Sequence, residues 1–165
     1  MSAQRTLRRS VSCTGIGLHS GNKVTLSLKP APADYGIRFQ RSDLGGLEIP
    51  ATVTHLGGIQ YQTGLTRETV SVETVEHLLS ALTALGIDNV IVELSSPIMD
   101  GSAAPFVYLI LNEAGVKKLT ARRRYLKVLR PISLTQGDKR IALYPSDHFK
   151  VTYSISFDHP LLRHQ

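Results

Sequence analysis

Glu76 and His77 stand side by side in Thr74-Val75-Glu76-His77-Leu78, and a carboxylate beside an imidazole offers a clear division of labour. A neutral imidazole ligates Zn2+, while the adjacent carboxylate takes a proton from a metal-bound water. The same two residues also suit a plain solvated helix face, and the pair by itself does not choose between these readings.

The pair needs a helix to hold it. Val75, Leu78, Leu79, Leu82 and Leu85 recur as one apolar stripe, which predicts a helix over Glu73 to Leu85 with Ser71 as its cap and Gly86 at its end. At about 100° per residue His77 falls nearly opposite the stripe and Glu76 on its flank, so the leucines enter the core while these two face a cleft or water.

Strand patterns surround that helix. Arg5 to Cys13, Lys23 to Leu28 and Gly36 to Gln40 read as strands, punctuated by turns at Gly15, Gly17, Ser20-Gly21-Asn22 and Pro30-Ala31-Pro32. A short strand near Gln60 to Leu65 and another over Asn89 to Leu94 flank the helix. A second helix is expected over Ala103 to Asn112, with Ser102 as cap and Pro105 in the first turn. Helices on one face of a sheet make an α+β layer.

The pattern then begins again. Gly21-Asn22-Lys23, strand residues and Pro30 are echoed by Gly137-Asp138-Lys139, strand residues and Pro145, with a further strand expected over Phe149 to Phe157. The expected organisation is a duplicated two-layer sheet and helix domain with an incomplete second copy: residues 1–121, a basic linker over 122–131 containing Arg122-Arg123-Arg124, and opening strands over 132–165. Two unrelated hairpins with common Gly-Asx-Lys turns would look the same.

Composition narrows the function classes. A chain of 165 residues with 42% hydrophobic content can bury a sizeable core. No apolar run approaches the roughly 20 residues that span a bilayer, and no apolar segment follows Arg5, Arg8 and Arg9, so a cytoplasmic protein is expected. Its net charge of +6 is scattered and its aromatic content is 6%, which argues against nucleic acid; a phosphorylated small molecule or an anionic lipid surface accounts for the excess equally well. Cys13, the single cysteine, rules out a cysteine-rich zinc knuckle, so a metal would use His and carboxylate ligands.

Six stretches, in order, carry a resemblance: Gln4-Arg5-Thr6-Leu7, Gly15-Ile16-Gly17-Leu18-His19-Ser20-Gly21, Thr74 to Leu78, Gly86-Ile87-Asp88-Asn89, Pro97-Ile98-Met99-Asp100-Gly101-Ser102-Ala103 and Phe157-Asp158-His159-Pro160. In these the chain resembles the amino-terminal portion of the UDP-3-O-acyl-N-acetylglucosamine deacetylases, zinc hydrolases of lipid A biosynthesis. The resemblance implies two domains of similar topology with the site between them, His77 as one zinc ligand, and Glu76 as the general base for attack on an amide carbonyl. It implies that Asp100 supports the site and that His19 and Lys139 lie near the substrate, Lys139 toward the diphosphate of the UDP-linked acylated glucosamine; the basic charge separately suggests peripheral contact with a membrane.

The chain also departs from that family. The family's remaining zinc ligands lie in a His-Lys-x-x-Asp motif of the second domain, followed by a His that acts as general acid, and neither is present; His148, His159 and His164 do not match them. The loop before Pro97 is also shorter than the family's. Two readings follow: a truncated deacetylase that is inactive and binds zinc weakly alone, or a non-catalytic relative that binds the nucleotide-sugar lipid or a protein. Unfinished sheet edges at the end of the sequence favour the first.

Overall fold

The computed structural model describes residues 2–16, 21, 23–58, 62–95 and 102–156. Along the chain run β1 (Ala3–Leu7), β2 (Val11–Ile16), β3 (Lys23–Pro30), β4 (Ile37–Arg41), β5 (Glu48–Pro50), β6 (Leu65–Arg67), β7 (Val70–Val72), α1 (Glu76–Ala84), β8 (Val90–Leu94), α2 (Ala104–Tyr108), β9 (Val116–Arg122), β10 (Ile132–Gln136) and β11 (Lys139–Leu143). The fold is α+β, as expected, and divides into two units, Met1–Arg123 and Arg124–Gln165.

The first unit is built on a five-stranded sheet in the order β2-β3-β8-β4-β5. Its pairs are antiparallel except β4 with β8, which run parallel with Phe39 opposite Val92. Strand alternation sends Val24, Leu26, Leu28, Phe39, Ile49, Val90, Val92 and Leu94 to the buried side. There they form one core with Leu78, Ala81 and Leu82 of α1 and with Phe106 and Ile110 of the second helical segment. Each fully buried large side chain contributes on the order of 1.5–3 kcal/mol, so this shared layer is what anchors α1 to the sheet.

Several boundaries differ from the sequence pattern for identifiable reasons. The expected strand over Arg5 to Cys13 is two strands in different sheets, because the Arg8 and Arg9 amides turn aside to the carbonyls of Gly115 (2.9 Å) and Ala114 (3.3 Å). β1 instead pairs with β9, a strand the pattern does not reveal: it is polar, carries Lys117 and Lys118, and forms by hydrogen bonding to β1 rather than by burying an apolar face. β9 runs through the expected 121/122 boundary. Arg123, within the expected linker, ion-pairs with Asp88 at 2.7 Å.

α1 starts three residues later than expected. Thr74 adopts a left-handed φ of 58°, which no helix interior accommodates, and Ser71 lies in β7 and does not cap. Gly86 ends the helix as expected, at φ 65°, and a Cβ there would come within 2.9 Å of the Arg123 guanidinium. The strand expected near Gln60 to Leu65 is the hairpin β6–β7, beginning at Leu65; residues 59–61 lie outside the described set. The second helix begins with the Ala104 amide donating to Ser102 Oγ at 3.2 Å, then widens into a π-helical turn over Leu109–Ala114.

In the second unit β10 and β11 form an antiparallel hairpin with Gln136 opposite Lys139 and Gly137 at φ 59°, in keeping with a glycine-first two-residue turn. Lys139 opens β11 as Lys23 opens β3. The strand expected over Phe149 to Phe157 is absent from residues 149–156. A strand needs ladder partners, and among the described residues of the unit there is no counterpart of β8, which holds β4 in the first unit.

Candidate active site

Glu76 and His77 occupy the first turn of α1, both half-buried, while Leu78 beneath them is sealed in the core. The sheet and the leucine stripe therefore set their direction. A carboxylate at this end of a helix also meets the positive end of the helix dipole.

Glu76 is held from a distant segment. Its Oε2 accepts the Thr63 backbone N–H at 3.0 Å, and the Thr63 carbonyl in turn accepts the Val75 N–H at 3.1 Å. Thr74 is buried, and its hydroxyl donates to Gln62 Oε1 at 3.1 Å. Oε2 is thus tethered, and among the described residues Oε1 accepts no hydrogen bond. The His77 carbonyl accepts the Ser80 hydroxyl at 2.8 Å.

The structure thus brings Glu76 and His77 together. His19 and Asp100 lie outside the described residues. Lys139 is exposed at the start of β11, in the second unit. Thr63, Thr74 and Gln62 are the residues that pattern reading missed. The available signal was a polar Thr inside the run read as helix.

Catalytic zinc takes three protein ligands, and among the described residues no group of three or more His, Cys, Asp or Glu side chains is placed to hold a metal ion. His77 can give one nitrogen, so the described residues do not by themselves make a zinc site. At Cys13 burial pushes the thiol above its ordinary value and the Glu113 charge adds to this, which disfavours the thiolate.

Asp88 and Asn89, read in the sequence only as part of a signature, prove structural. The Asn89 Nδ2 donates to Gln4 Oε1 at 2.9 Å and its Oδ1 accepts the Gly36 amide at 2.9 Å, while Gln4 Nε2 donates to Asp34 Oδ1 at 2.8 Å. The buried Gln4 and Asn89 side chains satisfy each other and fasten β1 to the turn between α1 and β8.

Comparison with known proteins adds the family. Proteins named UDP-3-O-acyl-N-acetylglucosamine deacetylase from Pseudomonas entomophila and Hahella chejuensis are 51% and 50% identical to this chain, over 100% and 99% of its length. One from Xylella fastidiosa is 48% identical over 100% of it. The chain spans about 55% of the length of each of these curated relatives. The family model of the UDP-3-O-acyl N-acetylglycosamine deacetylases matches residues 4–165, and the chain belongs to that family.

Proposed function

We propose that this chain supplies the amino-terminal portion of a UDP-3-O-acyl-N-acetylglucosamine deacetylase, a cytoplasmic zinc-dependent amide hydrolase of lipid A biosynthesis. The observation that carries the proposal is the tethered Glu76 beside His77 on a helix anchored in the core, in a chain about half identical to proteins of that name.

In this reading the Glu76 carboxylate accepts a proton from the water that adds to the acetyl carbonyl carbon. A C–O bond forms, the C–N bond breaks, acetate departs, and the nitrogen leaves as a protonated amine. Fixing Oε2 on the Thr63 amide keeps the carboxylate from rotating, so Oε1 meets the water in one geometry. His77 would give one imidazole nitrogen to hold zinc, and the metal, if bound, would supply Lewis-acid chemistry at the site. The other ligands belong, in this proposal, to the part of the family that the chain does not span. The second unit is the opening hairpin of a second copy of the first. By the family resemblance, Lys139 is proposed to bind the diphosphate and His19 and Asp100 to bind substrate or support the site.

Two measurements separate this reading from a module that binds without catalysing. Acetate release should appear when the chain is completed by the remaining part of a relative, and should fall on the order of a hundredfold or more in Glu76→Ala with zinc retained. Binding of the UDP-sugar lipid with no acetate release from the completed protein would sink the catalytic reading.

A further inference from the structure

Thr74 carries two features that a spacer between β7 and α1 does not need. Its φ of 58° places a β-branched residue in the left-handed region, where Cβ crowds the backbone and glycine or asparagine would sit at far lower cost. It is also buried, and its hydroxyl donates to Gln62 Oε1 at 3.1 Å. A glycine would satisfy the turn, but only a hydroxyl-bearing side chain adds the link to Gln62.

That link bears on Glu76. Gln62 precedes Thr63, whose carbonyl accepts the Val75 amide at 3.1 Å and whose own amide donates to Glu76 Oε2 at 3.0 Å. Three hydrogen bonds, one from each of Thr74, Val75 and Thr63, join a two-residue strip to the three residues that lead into α1. Strained residues persist where their surroundings over-determine them, and they gather at working sites.

We infer that Thr74 is a positioning residue for Glu76: its left-handed turn and its hydroxyl bond to Gln62 hold the Gln62-Thr63 strip in place, so that the Thr63 amide occupies Glu76 Oε2 and Oε1 alone faces the reacting water. The inference rests on Glu76 being the proton acceptor, but its geometry is read without any catalysis, so either claim can fail while the other stands.

The experiment is amide NMR and hydrogen exchange on the 165-residue chain. Glu76→Gln first identifies the Thr63 amide signal that depends on a charged acceptor, which should move upfield when the carboxylate becomes an amide. Thr74→Val should move the same signal the same way and speed exchange at Thr63 about tenfold, as loss of one hydrogen bond to a charged group implies. Thr74→Ser should restore both, and the Val92 amide in the core sheet should be unchanged throughout. Because valine at this φ carries a folding risk, Gln62→Ala, which leaves Thr74 in place, is read alongside and should reproduce the Thr63 change. A Thr63 signal that responds to Glu76→Gln but not to Thr74→Val or Gln62→Ala would overturn the positioning role. So would a Thr63 signal indifferent to Glu76→Gln.

Discussion

Arg123 donates through Nε to Asp88 Oδ1 at 2.7 Å, while Asp88 Oδ2 accepts the Arg5 backbone N–H at 2.7 Å. One carboxylate thus ties the last residue of the first unit and the first strand to the turn after α1. Asp88→Ala leaves the Arg5 amide and a half-buried guanidinium without this acceptor. The expected loss is about 2 kcal/mol of stability with an unchanged denaturant slope, read by urea unfolding.

Acid should weaken the β4–β5 edge. The Tyr35 hydroxyl, with Gln40 and Arg38 helping, holds the Glu48 carboxyl below the ordinary glutamate range against the opposing effect of burial. A lowered folded value means that this stabilisation is fully present above the ordinary value of 4.5 and is lost as pH falls through the lower folded value. Stability measured from pH 6 downward should therefore fall less steeply in Glu48→Gln than in the unaltered chain once the pH drops below the ordinary glutamate value of 4.5. Identical slopes would remove Glu48 as the cause.

The apolar side of the second-unit hairpin is open. Ile132 pairs with Leu143 and Leu134 with Ile141 across the strands, and all four are between 52% and 69% exposed. Two-stranded hairpins without a covering layer are marginal in water. Hydrogen exchange should show β10–β11 amides exchanging near the unprotected rate while β3 and β8, buried at the sheet centre, exchange orders of magnitude more slowly. Comparable protection in both regions would contradict this.

Zinc affinity follows from the ligand count. With one imidazole from His77 and no group of three candidate ligands among the described residues, the 165-residue chain should bind Zn2+ weakly in equilibrium dialysis. Stoichiometric tight binding that disappears in His77→Ala would show a site that the described residues do not contain.

Much of this fold is legible in the sequence where apolar periodicity dominates. β3, β4, β8 and the leucine face of α1 are set by burial, so alternation and the helical stripe find them. β9 escapes because its strand character comes from pairing with β1, and a Lys-rich edge has no apolar signature. The start of α1 escapes because Thr74 is left-handed in the folded chain, and its hydroxyl bonds Gln62, which lies twelve residues upstream. The same reason divides the site: Glu76-His77 is visible as adjacent residues, whereas the Thr63 amide that tethers Glu76 is brought there only by folding.

The most direct test of the account is acetate release from UDP-3-O-acyl-N-acetylglucosamine by a protein in which residues 1–165 are joined to the remaining part of the Pseudomonas entomophila relative, measured with Glu76 intact and as Glu76→Gln at equal zinc content. The account predicts release by the first and a loss on the order of a hundredfold or more in the second. Equal rates from the two proteins would contradict the assignment of Glu76 as the group that takes the proton.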